Sequence, residues 1–86
     1  MNKQSDKIMR VVEYINTNDL CNTKWQVMTN TANASSYYGA TNVSKNLRPH
    51  IAVWVDVEEV EEWAMVATWD ETLFTTDGDI IAIFYF

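Results

Sequence analysis

Apolar residues recur along this chain with two different periods, and the changes of period divide it into elements. Ile8, Val11, Val12 and Ile15 repeat at helical spacing behind Ser5, a good N-cap, while Lys7, Arg10 and Glu13 face away, which predicts a helix over 6–15. Asn16-Thr17-Asn18-Asp19 ends it, because Asn and Asp tolerate left-handed backbone and their side chains compete for backbone hydrogen bonds. From Lys24 to Thr29 the period falls to two, with Trp25 and Val27 on one side and Lys24, Gln26 and Met28 on the other, so a strand is predicted. Residues 30–49 are small and polar around the pair Tyr37-Tyr38 and predict a long loop with a short helical turn near 34–38.

Pro49 pushes Arg48 toward extended backbone and opens the clearest strand, 50–57, with Ile51, Val53, Val55 and Val57 on one face and Ala52, Trp54 and Asp56 on the other. The stretch 57–69 supports two readings. As a helix it has Asp56 and Glu59 at capping-box spacing, acids in its first turn and an apolar stripe of Val57, Val60, Trp63, Ala64 and Ala67. As a hairpin it has a Glu-rich loop and a second strand with Trp63, Met65, Ala67 and Trp69 on one face. Four glutamates make a poor turn, and Met65, Val66 and Trp69 fall on the acidic side of the helix, but the balance favours the helix. Asp77-Gly78 predicts a two-residue type I′ turn closing a hairpin between 72–76 and 79–86. The last strand is apolar on both faces and must be central or covered. The fold class expected is α+β, one domain over 1–86: an N-terminal helix packed on a small antiparallel sheet that ends in a C-terminal β-hairpin, with a second helix at 57–69 on the favoured reading.

Charge changes this picture more than composition does. Residues 1–50 hold all six basic residues and three acids, for +3; residues 51–86 hold nine acids and no base, for −9. The same acidic third carries Trp54, Trp63, Trp69 and all three phenylalanines. An apolar content of 48% is enough for a core and far from the composition of disordered chains. The single cysteine cannot make an intramolecular disulfide, and the polar N-terminus leads into an amphipathic segment, which together predict a cytoplasmic location. The longest apolar run, Ile80–Phe86, is seven residues against the ~20 of a spanning helix, so no membrane partner is expected.

Candidate chemistry is sparse. Cys21 and His50 could form a thiol–imidazole pair, but the favoured readings are a half-buried cysteine and a strand-start histidine. A zinc site needs more ligands than one Cys and one His supply, Asp77-Gly78-Asp79 lacks the rest of a calcium loop, and two glycines cannot build a phosphate cradle. No cofactor, metal or catalytic group is therefore expected, and the chain reads as non-catalytic.

Binding is the remaining class. The acids Asp56, Glu58, Glu59, Glu61, Glu62, Asp70, Glu71, Asp77 and Asp79, with Trp63 among them, are the candidate partner-binding residues. Such a surface suits a basic site on another protein, and in particular one that handles nucleic acid, with the acids standing in for phosphates. Small acidic inhibitors made by phages and other mobile elements share this composition. Two alternatives stand beside this one. Self-association through sheet edges or the C-terminal strand would give a homodimer. Single-stranded nucleic acid could stack on Lys24, Trp25, Tyr37, Tyr38, Lys45 and Arg48, although a net charge of −6 opposes direct nucleic-acid binding.

Overall fold

The computed structural model describes residues 3–29, 38–40 and 48–86, without the side chains of Lys3 and Gln4. The expected loop at 30–49, including Tyr37, Lys45 and most of the helical turn at 34–38, therefore lies outside the described residues but for 38–40 and 48–49.

Helix α1 spans Lys3–Thr17. Val11 and Ile15 are buried on its inner face with Ile8 and Tyr14 partly so, whereas Val12, read from spacing as part of that stripe, is 41% exposed at its edge. Asp19 ends the helix with φ +49, its N–H donating to the Asn16 carbonyl and that of Leu20 to Ile15. This is the Schellman arrangement, and Leu20 packs back on the core as such a motif requires. A 3-10 turn, Asn22–Lys24, leads into strand β1, Trp25–Met28.

Strand β2 covers His50–Val55. It stops two residues short of the predicted end because the chain turns at Asp56 into a 3-10 turn, Val57–Glu59, continued by helix α2, Val60–Val66. The helical reading of 57–69 is thus the correct one over 57–66, and Ala67 leaves the helix in extended backbone three residues before the predicted end. Asp56 and Glu59 form the capping box their spacing predicts: the Glu59 carboxylate accepts the Asp56 N–H at 3.2 Å. The inward residues are Val60, Trp63, Val66 and Ala67, so Val66 and Trp69, which the spacing placed on the acidic side, pack on the core, while Val57 and Ala64, which it assigned to the stripe, face solvent. One 3-10 turn before the α-helix rotates Val57 out of line with the residues that follow.

Strands β3, Glu71–Phe74, and β4, Ile80–Tyr85, complete a four-stranded antiparallel sheet of order β1-β2-β4-β3. The strand that is apolar on both faces, β4, is central, as it must be to avoid an apolar edge. The β3–β4 connection is not the predicted type I′ turn. Gly78 has φ +88 but Asp77 does not enter the positive-φ region, and a type I′ turn needs both. Instead Thr75 donates its N–H to the Asp79 carbonyl and accepts that of Gly78, leaving the three-residue loop 76–78 with glycine at the left-handed position.

β2 and β3 both run antiparallel to β4, so α2 connects two parallel strands across it. α1 and α2 bury Ile51, Val53, Val55, Ala82 and Phe84 on one face of the sheet. The opposite face carries Ala52, Leu73, Ile81, Ile83 and Tyr85, packed with Tyr38. No helix among the described residues is long and apolar enough to cross a membrane.

Candidate protein-binding surface

The segment from Asp56 to Val66 holds five of the nine candidate carboxylates, and the core fixes which of its sides faces out. Trp63, 2% exposed, lies 4.6 Å from the Tyr14 ring and 6.2 Å from Phe84 by centroids. With the indole locked there, the opposite side presents Val57, Glu58, Glu61 and Met65, the two apolar members 78% and 89% exposed. Trp63, a candidate partner-binding residue by sequence, therefore lies beneath this surface and not on it.

The carboxylates divide by what they already hold. Glu59 and Asp56 both accept Lys24 Nζ, at 3.3 and 3.2 Å, and these two acids, Asp56 first, pull the ammonium pKa upward. Glu62 accepts the Tyr14 hydroxyl at 2.5 Å. That bond, with burial and the Glu62 charge behind it, raises the Tyr14 pKa to about 12. Asp70 accepts Lys7 Nζ at 2.6 Å and the Tyr85 N–H at 2.9 Å, which ties the start of β3 to α1 and to β4. Glu71 is exposed on β3. Asp77 and Asp79 sit in the β3–β4 turn, and the pairing Val55↔Ile80 brings that turn to the same end of the sheet as Asp56. Asp56, Glu58, Glu59, Asp77 and Asp79 thus gather where β2 ends and β4 begins. Glu58 and Glu61 are the carboxylates of α2 and its leading turn for which no internal partner is seen among the described residues.

The sorting of charge along the sequence is partly undone in space, since Lys7 and Lys24 from the N-terminal half neutralise acids of the C-terminal half. The residues missed by spacing were Val57 and Met65 as exposed apolar positions. For Met65 the signal was present, because a helical wheel places it on the acidic side.

The other candidates are dispersed. Cys21 is exposed, not half-buried, and the Thr23 hydroxyl donating at 3.3 Å lowers its thiol pKa. His50 is fully buried with both ring nitrogens engaged by Tyr38 and Arg48, which leaves no nitrogen for a thiol. Of the expected stacking residues, Tyr38 is buried, Trp25 donates its indole N–H to the Leu20 carbonyl, and the Arg48 guanidinium lies 4.1 Å above the Tyr85 ring. Trp54 and Trp69 are half-buried, against Tyr38 and Phe84 respectively.

The molecule is a small α+β domain with two helices on one face of an antiparallel sheet and an exposed acidic–apolar helical edge. Comparison of the chain with models of known families, with curated proteins and with solved structures finds no match.

Proposed function

We propose that this chain is a non-catalytic binding module that docks the outer side of Val57–Met65 onto a positively charged site of another protein, of the type that handles nucleic acid, and so acts as an inhibitor or nucleic-acid mimic in the cytoplasm. The observation that carries this reading is the exposure of Val57 and Met65 among Glu58 and Glu61 on a segment whose own inward stripe is already satisfied by the core. Acids alone would serve solubility; large apolar side chains held out among them do not. Burying two such side chains contributes roughly 3–6 kcal/mol before the costs of association. The carboxylates supply steering and orientation that weaken as salt rises. Helical neighbours about 5–6 Å apart cannot follow phosphates spaced ~1.7 Å along a duplex axis, so the mimicry extends to a short stretch only.

The test is affinity capture at low and high salt with the wild type and with the triple variant Glu58→Lys, Glu61→Lys, Met65→Ser. These three positions avoid Glu59 and Glu62, whose reversal would also break contacts with Lys24 and Tyr14. A partner held at low salt, released at high salt and not captured by the variant supports the reading. Capture unchanged by the variant overturns it.

Self-association is the second reading. Its favoured surface shifts to the outer strands, because Ile81 and Ile83 are 0% exposed within β4, whereas Val27 on β1 and Phe74 on β3 are 46% and 47% exposed. It predicts a dimer at micromolar concentration by light scattering that Val27→Thr or Phe74→Thr converts to a monomer.

A further inference from the structure

The chain's only imidazole is buried, with both ring nitrogens engaged. His50 is 0% exposed on the sheet face opposite the helices. Its Nδ1 lies 2.7 Å from the Arg48 carbonyl oxygen, which can only accept, so Nδ1 carries the ring proton. Nε2 of the neutral ring then accepts the Tyr38 hydroxyl at 2.8 Å. Among the described residues Tyr38 meets the sheet through this bond and through edge-on ring contacts with His50 and Trp54 at 5.8 and 5.4 Å, and Ala40, two residues on, bridges to Thr75. Beneath it lie Ala52, Ile81 and Ile83, all fully buried.

We propose that His50 is a proton-operated latch: neutral, it holds segment 38–40 on this sheet face, and protonated, it releases the segment and opens the face to solvent. A second ring proton turns Nε2 from acceptor to donor, so the Tyr38 hydroxyl must reverse, and it places a charge on a fully buried ring. The charged groups around it do not offset this. The Arg48 guanidinium stacks on Tyr85, whose ring stands edge-on to His50 at 6.3 Å, and supplies no counter-charge. Glu71 on β3, paired with Ile83, favours the cation from an exposed position. Met28 of β1, opposite His50 in register, is uncharged. Burial prevails over the Arg48 carbonyl and Glu71, and holds the imidazole below its ordinary pKa.

The sign follows from that direction. In the released state His50 is solvated and titrates near its ordinary value of about 6.5, whereas in the latched state it takes up a proton only at lower pH. Above that range the latch is fully favoured. As pH falls, the ratio of released to latched molecules rises by up to about tenfold per pH unit, until the latched ring itself protonates. With a single histidine in the chain, no other side chain has its ordinary pKa between pH 5 and 7.

The full chain is titrated from pH 7.5 to 5 by NMR, following the ring signals of His50, Tyr38 and Trp54, alongside binding of a dye that reports exposed apolar surface. The wild type is expected to show the three rings moving or broadening together with increased dye binding toward pH 5. His50→Gln should be flat over the range, and Tyr38→Phe should bind more dye already at pH 7. A wild-type His50 ring that titrates at an ordinary midpoint while Tyr38, Trp54 and dye binding do not respond overturns the latch, as does an unchanged response in His50→Gln. If His50→Gln does not fold, the wild-type titration decides alone.

Discussion

Trp63 and Met65 are two residues apart, yet the orientation of α2 gives them opposite environments, 2% against 89% exposed. Trp63→Ala removes an indole from between Tyr14 and Phe84 on a packed sheet face, where truncations of this type cost about 3–5 kcal/mol. Met65→Ala removes a side chain already in water, and the cost should be within about 0.5 kcal/mol. A domain of 86 residues has a total stability of only about 4–13 kcal/mol, so the first change consumes much of it and the second is scarcely felt. In urea, with a slope near ~1.3 kcal/mol per molar, the expected midpoint shifts are about 2–4 M downward for Trp63→Ala and under about 0.5 M for Met65→Ala. Far-UV circular dichroism is the suitable signal, since one variant deletes a fluorophore. Equal costs, or a larger one for Met65→Ala, would mean that α2 is rotated about its axis, and the proposed binding surface would be lost with it.

Three further outcomes follow from individual contacts. Tyr14 should ionise at about pH 12 in an absorbance titration, and Glu62→Gln should bring it back toward ~10. Because its folded value is raised, the stability it contributes is intact below pH 10 and lost as pH rises from 10 to about 12. Asp19 occupies left-handed backbone, so Asp19→Val should cost about 1–2 kcal/mol by thermal melting while Asp19→Gly should be neutral or stabilising. Lys24→Met should cost at most about 1 kcal/mol, since its two ion pairs are partly exposed, and the difference from wild type should shrink in ~1 M salt.

The architecture was largely legible because its elements announce themselves locally. The stripe Ile8, Val11 and Ile15, the alternation around Trp25, and the doubly apolar Ile80–Tyr85 each admit one backbone period, and the last dictates a central strand. What spacing alone did not resolve arose where two local signals compete. The capping box at Asp56–Glu59 was readable, but the 3-10 turn it caps, Val57–Glu59, rotates Val57 outward, and no period in the sequence marks such a turn. Asp77-Gly78 is a strong hairpin signal in general, yet here the hydrogen bonds of Thr75 draw one more residue, Thr76, into the loop. The candidate surface was legible as composition and not as geometry. Which carboxylates remain available depends on Lys7, Lys24 and Tyr14, which approach from 32 to 63 residues away in sequence. His50 gave no sign of its role, because the hydroxyl and carbonyl that fix its tautomer come from a stretch with no regular period.

The measurement that bears most directly on the binding surface compares two pairs of charge reversals that alter net charge equally. Glu58→Lys with Glu61→Lys changes the outer side of α2 and its leading turn; Asp6→Lys with Glu13→Lys changes exposed positions on α1. If the surface is as described, partner capture at low salt is abolished by the first pair and retained by the second. Equal weakening by both pairs would mean that overall charge, and not this face, governs the interaction.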